Sequence, residues 1–135
     1  LLLVFFLSTL LLSACAQGEV ALQVTGNVTK EQAWTEDQVK KFDTIEAISA
    51  NKEGVESTYT GVLITDLLAD AQPNAGATTV VFVADDGYTA EVSLEELTAC
   101  ADCIVSFREQ GGFSTVLPDF SSKLQVKGVI EIQVK

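Results

Sequence analysis

Cys100-Ala-Asp-Cys103 is the one pair of sulfurs close enough in the sequence to act together. Two cysteines at this spacing can close a small disulfide, exchange that bond with a partner's dithiol, or supply half of a zinc site. Exchange needs a thiolate stabilised at a helix N-terminus. Here Ser93-Leu-Glu-Glu96 has capping-box spacing and opens a helix to about Ala99, so the pair falls at the unfavourable C-terminal end. Structural zinc needs four Cys or His ligands, and the chain has three cysteines and no histidine. A structural disulfide is the reading these residues favour. Asp85-Asp86 and Glu95-Glu96 are the carboxylate pairs that could do acid–base work or hold Ca²⁺. The first sits in a hairpin-turn pattern before Gly87 and the second in the first turn of a helix, where acids cap backbone and face water.

The third cysteine has a different setting. Residues 1–12 read LLLVFFLSTLLL, ten apolar residues of twelve without a charge. At about 1.5 Å per residue this run cannot cross a hydrocarbon core of about 30 Å, but it has the length of a secretory apolar region. Leu12-Ser13-Ala14-Cys15 follows and resembles a bacterial lipobox, in which the cysteine is lipidated and becomes the first mature residue. The resemblance implies a leader over residues 1–14, a lipidated tether over 15–19, and a folded domain over 20–135. No initiator Met or basic segment precedes the apolar run, so the leader is expected to be incomplete at its start. Two or more acyl chains anchor stably, which implies attachment to a bacterial membrane outside the cytoplasm.

Composition narrows the chemistry. The 135 residues hold 19 acids against 8 bases, a net charge of -11, with 47% hydrophobic and 20% charged residues. That supply of apolar residues fits one folded domain rather than a disordered chain. The negative field works against nucleic acid, whose binding replaces phosphate counterions with protein cations. Without histidine there is no Ser-His-Asp triad and no imidazole metal ligand.

The elements follow from hydrophobic spacing. Val20, Leu22 and Val24 alternate as a strand that ends at Gly26-Asn27. Thr35-Glu-Asp-Gln38 predicts a capped helix over 36–42. Residues 43–50 and 54–60 predict a strand pair around Asn51-Lys52-Glu53-Gly54, and Thr65 predicts the cap of a helix over 66–71 that stops before Pro73. Thr78 to Ala84 reads as a buried central strand, and the Asp85-Asp86-Gly87 turn returns it into Tyr88 to Val92. Strands over 104–109, 113–117 and 126–134 complete the set, with Ile130, Ile132 and Val134 expected on one face of the last. About eight short strands and three short helices predict an α+β fold with mixed, mostly antiparallel sheets.

Several segments in order carry a more specific likeness. They are Leu22-Gln-Val-Thr-Gly-Asn-Val28, Gly61-Val-Leu-Ile-Thr-Asp-Leu-Leu68, the stretch from Ala77 to Leu97 with Asp86-Gly87-Tyr88 inside it, Val116-Leu-Pro118, and Val126-Lys-Gly-Val-Ile-Glu-Ile132. Together they resemble the molybdopterin-binding domain of the sulfite oxidase-like oxidoreductases, especially its small stand-alone versions. The resemblance implies that family's α+β fold, and in catalytic members a pterin dithiolene whose molybdenum is also bound by a cysteine thiolate. It places Tyr88 and Lys127 near the pocket, and Arg108 is the one arginine available to an anionic pterin. The segment corresponding to the family's cysteine, Ile45 to Gly54, has none, and Gly128 stands where the family has Trp.

These departures lead to the expectation of an extracytoplasmic lipoprotein whose domain lacks the molybdenum-ligating cysteine. It would hold no cofactor and act as a non-catalytic binding or structural module in an envelope redox assembly, with a redox protein or small molecule as partner. Two alternatives stay open: a molybdopterin-dependent oxidoreductase that keeps its cofactor without the cysteine, and a thiol–disulfide module using Cys100 and Cys103.

Overall fold

A computed structural model describes residues 18–135. Cys15 and the leader assigned to residues 1–14 lie outside the described residues, as does most of the tether. Nine strands and three α-helices are found among those described: β1 (Val20–Gly26), β2 (Gln32–Thr35), α1 (Glu36–Val39), β3 (Thr44–Ala50), β4 (Glu56–Leu63), α2 (Ile64–Ala71), β5 (Thr79–Ala84), β6 (Thr89–Ser93), α3 (Leu94–Thr98), β7 (Ile104–Phe107), β8 (Phe113–Val116) and β9 (Val129–Val134). A 3-10 turn, Ser122–Leu124, precedes β9. The strands form a five-stranded sheet in the order β2-β1-β9-β5-β6 and a four-stranded sheet in the order β3-β4-β7-β8. Only β1 and β9 run parallel; the other named pairs are antiparallel.

The apolar alternation explains the packing. Leu22 and Val24 of β1, Val80 and Phe82 of β5, and Ile132 and Val134 of β9 meet in one core with Val62, Val105 and Phe113 of the second sheet. The opposite face of the second sheet carries a small cluster of Ala47, Ile104 and Val116. On β5 Val80, Val81, Phe82 and Ala84 are all buried, as its run of apolar residues requires, although the central strand of that sheet is β9.

One strand was not anticipated, and three local expectations are corrected. The short β2 escapes a pattern reading because only Trp34 of its four residues is buried. The helix at Thr35 stops at Val39, with its capping box complete: Thr35 Oγ1 accepts from the Gln38 N–H and Gln38 Oε1 accepts from the Thr35 N–H. Thr65 does not cap α2. Strand β4 runs straight into the helix with Leu63 at the cap position, and the Ile64 N–H donates to the Cys103 carbonyl instead. In β9 the register with β5 skips Ile130, so this residue is exposed while Val129 enters the core.

Beyond the three residues of β4 that pair with β7, the β3–β4 hairpin continues as a two-stranded ribbon. Residues 56–60 of that ribbon are all exposed.

Candidate functional site

A cleft of about 640 Å³ opens between this ribbon and the segment 117–128, the strap, that joins β8 to β9. The ribbon contributes Ser49, Asn51, Lys52 and Tyr59; β8 contributes Ser114 and Val116. The strap contributes Asp119, Phe120, Gln125 and Lys127. Beyond its 3-10 turn and the Ser114–Lys127 bridge the strap has little regular structure, so side chains do much to hold its shape. The amide of Gln125 accepts from the Leu117 N–H at 2.9 Å and donates to the Leu117 carbonyl at 2.8 Å. Thr115 is buried, and its hydroxyl donates to the Leu124 carbonyl while accepting from the Val126 N–H, both at 2.7 Å. On the outer side the Tyr88 hydroxyl donates to the Lys123 carbonyl at 2.8 Å.

The cleft is locally cationic in an acidic chain. Neither Lys52 nor Lys127 has a carboxylate within 4.0 Å among the described residues, where the ion pairs are Lys40–Glu36 and Lys135–Glu91. Asp119 is the one carboxylate in the lining. Its φ of 66° is left-handed, which fits the tight reversal of the strap after Pro118. The clearest carboxyl perturbation lies elsewhere. Glu36 is held below the ordinary glutamate range, first by its hydrogen bond with Lys40 and then by the Gly112 N–H that it accepts.

Behind the strap, a more open groove is lined in part by Cys100, which is disulfide-bonded to Cys103. Asp119 and Phe120 line both depressions. Cys103 is buried and Cys100 partly exposed, and the Asp102 carboxylate lies 3.4 Å from Cys100 Sγ. A thiolate formed at Cys100 would stand beside that negative charge, which works against exchange chemistry.

Of the residues singled out from the sequence, Lys127 faces the cleft directly. Tyr88 acts from outside by pinning the strap. Arg108 is in the β7–β8 turn, where its N–H donates to the Gly112 carbonyl, and lines neither depression. Asp86 Oδ1 accepts from the Tyr88 N–H, the turn role read from its spacing. Asp85 packs over Gly128, where an added Cβ would come within 2.8 Å of its carboxylate. With a φ of 73°, position 128 therefore leaves no room for a side chain as large as the Trp expected there from the resemblance. Sequence reasoning missed Ser49, Asn51, Lys52, Tyr59, Ser114 and Gln125. The available signal was the turn at Asn51-Lys52, but only the folded register brings it opposite residues 114–127.

The lining offers hydroxyls, amides, two ammonium groups and a carboxylate, with no thiol or imidazole. Molybdenum held by a protein thiolate needs a soft sulfur donor, so these residues do not fit that metal.

Comparison with known proteins supports the fold. The chain resembles the sulfane dehydrogenase SoxCD of Paracoccus pantotrophus in its crystal structure with a TM-score of 0.72 at 15% identity, over 84% of this chain and 37% of that one. The present chain thus spans well under half of that protein's length. No curated protein matches the sequence. The family model described as oxidoreductase molybdopterin binding domain matches residues 13–113. With that match over most of the chain and the mixed-sheet architecture described above, the chain belongs to the oxidoreductase molybdopterin binding domain family.

Proposed function

We propose that this chain is an extracytoplasmic module, lipid-anchored to a bacterial membrane through Cys15, that uses the family fold for binding rather than for redox catalysis at molybdenum. The observation that carries the reading is the sulfur inventory around the cleft. Residues 45–54 correspond to the family's cysteine segment and form β3 and the Asn51 turn without a thiol. Cys100 and Cys103 are bonded to each other behind the strap. The acid excess also opposes a multiply charged pterin phosphate. The module would serve an envelope redox assembly by holding a small molecule or a redox protein.

The deciding measurement is molybdenum and pterin content after expression in a host that makes the cofactor. Metal-free, pterin-free protein is expected; stoichiometric molybdenum overturns the proposal. For the anchor, Cys15→Ala is expected to move the protein from the membrane fraction to the soluble extracytoplasmic fraction, and continued tight attachment would disprove lipidation.

A further inference from the structure

The cleft between the ribbon and the strap has the features of a site for a small organic anion. Its volume of about 640 Å³ suits a single small ligand. Val116, Tyr59 and Phe120 give it an apolar and aromatic lining. Lys52 and Lys127 bring two cations without carboxylate partners to the same cleft, although the chain holds only 8 bases against 19 acids. Asp119 offsets one of those charges, leaving a lining with a single positive excess. That balance favours a monoanion, disfavours a cation, and opposes a multiply charged phosphate in the field of the acidic chain. The two rings favour a planar apolar body. Ser49, Ser114 and Gln125 supply polar atoms that can orient it.

We propose that this cleft binds a small aromatic monocarboxylate, its carboxylate directed toward Lys52 and Lys127 and its ring toward Phe120, Tyr59 and Val116. The proposal rests on the reading of the domain as a binding module, and it assigns that module a ligand class distinct from the family's metal cofactor.

The test uses the ¹⁵N-labelled full chain in non-ionic detergent, titrated with benzoate and, separately, with benzylamine. Benzoate is expected to give saturable amide shifts at Asn51, Tyr59, Ser114, Phe120 and Lys127, and benzylamine none there. The double variant Lys52→Glu, Lys127→Glu should lose about tenfold or more in benzoate affinity, the scale of a lost charge-assisted contact. Lys41→Glu, an exposed charge change outside the cleft lining, should stay within about twofold. Absence of benzoate shifts, shifts elsewhere, or equal binding of benzylamine would overturn the proposal, and this wild-type comparison holds whether or not the double variant folds. Molybdenum content of the same sample separates the two claims. Stoichiometric metal sinks the functional reading, whereas metal-free protein that ignores benzoate sinks only the ligand assignment.

Discussion

The side-chain amide of Gln125 pairs with both main-chain polar groups of Leu117, as a neighbouring strand would. The contact ties the first residue of the strap to one near its end, beside the Ser114–Lys127 bridge and the bond from the Thr115 N–H to the Val126 carbonyl. Gln125→Leu leaves both Leu117 groups without that partner and should cost about 1–3 kcal/mol by urea unfolding. Gln125→Glu keeps the acceptor but turns a carboxylate oxygen toward the Leu117 carbonyl, so at neutral pH it is expected to lose at least as much as leucine.

Thr115 allows a sharper comparison because its hydroxyl is buried and used twice. Thr115→Val preserves the shape but leaves the Leu124 carbonyl and Val126 N–H without it, an expected loss of about 2 kcal/mol or more. Thr115→Ser retains both hydrogen bonds and should lose clearly less. Equal losses in the two variants would mean that packing of the methyl group, not the hydroxyl bridge, holds the strap.

Gly61 lies where β4 meets β7, and an ideal Cβ there would run into the Val105 carbonyl. A backbone obstacle cannot rotate away. Gly61→Ala should therefore destabilise the protein by about 3 kcal/mol or more through separation of the two strands. Calorimetry should show the loss, with amide exchange accelerating first at Val62 and Val105.

Glu36 links α1 to the β7–β8 turn by accepting from the Gly112 N–H, and it pairs with Lys40 at the end of its own helix. Because its carboxyl is more acidic in the folded state, its stabilisation is complete above the ordinary glutamate value of about 4.3 and fades as pH falls through the lowered folded value. Glu36→Gln should reduce stability at neutral pH and flatten the acid limb of a stability-versus-pH curve. An unchanged acid limb would show that other carboxylates dominate it.

Removing the disulfide by Cys100→Ser, Cys103→Ser should cost on the order of 2 kcal/mol, because so short a loop restricts the unfolded chain only modestly. Thermal unfolding with and without reductant measures the same quantity in the wild type. A loss far above this would assign the bridge a larger role in holding the groove behind the strap.

What the sequence disclosed was local periodicity and local caps. The alternation in β1, the β3–β4 hairpin, the apolar run of β5 and the complete box at Thr35 are all short-range patterns, and each appears in the fold. Contacts that depend on distant partners were hidden. The bulge at Ile130 exists because β5 sets the register of β9, and α2 lacks a side-chain cap because Cys103 supplies a backbone acceptor. The cleft was illegible for the same reason. Lys52 and Lys127 become neighbours of one cavity only when a ribbon from the first half of the chain and a strap near its end are set side by side.

The position of β9 has a kinetic consequence. The five-stranded sheet places β9 between β1, which it meets in parallel, and β5. On one edge β1 can pair early with β2, but on the other residues 23–26 must wait for residues 131–134. Such long-range closure slows folding and prevents the sheet from zipping outward from its first-made strand. During synthesis the β1–β2 and β5–β6 pairs can form as local hairpins, but they become one sheet only when β9, the last strand made and the one that sits between them, arrives.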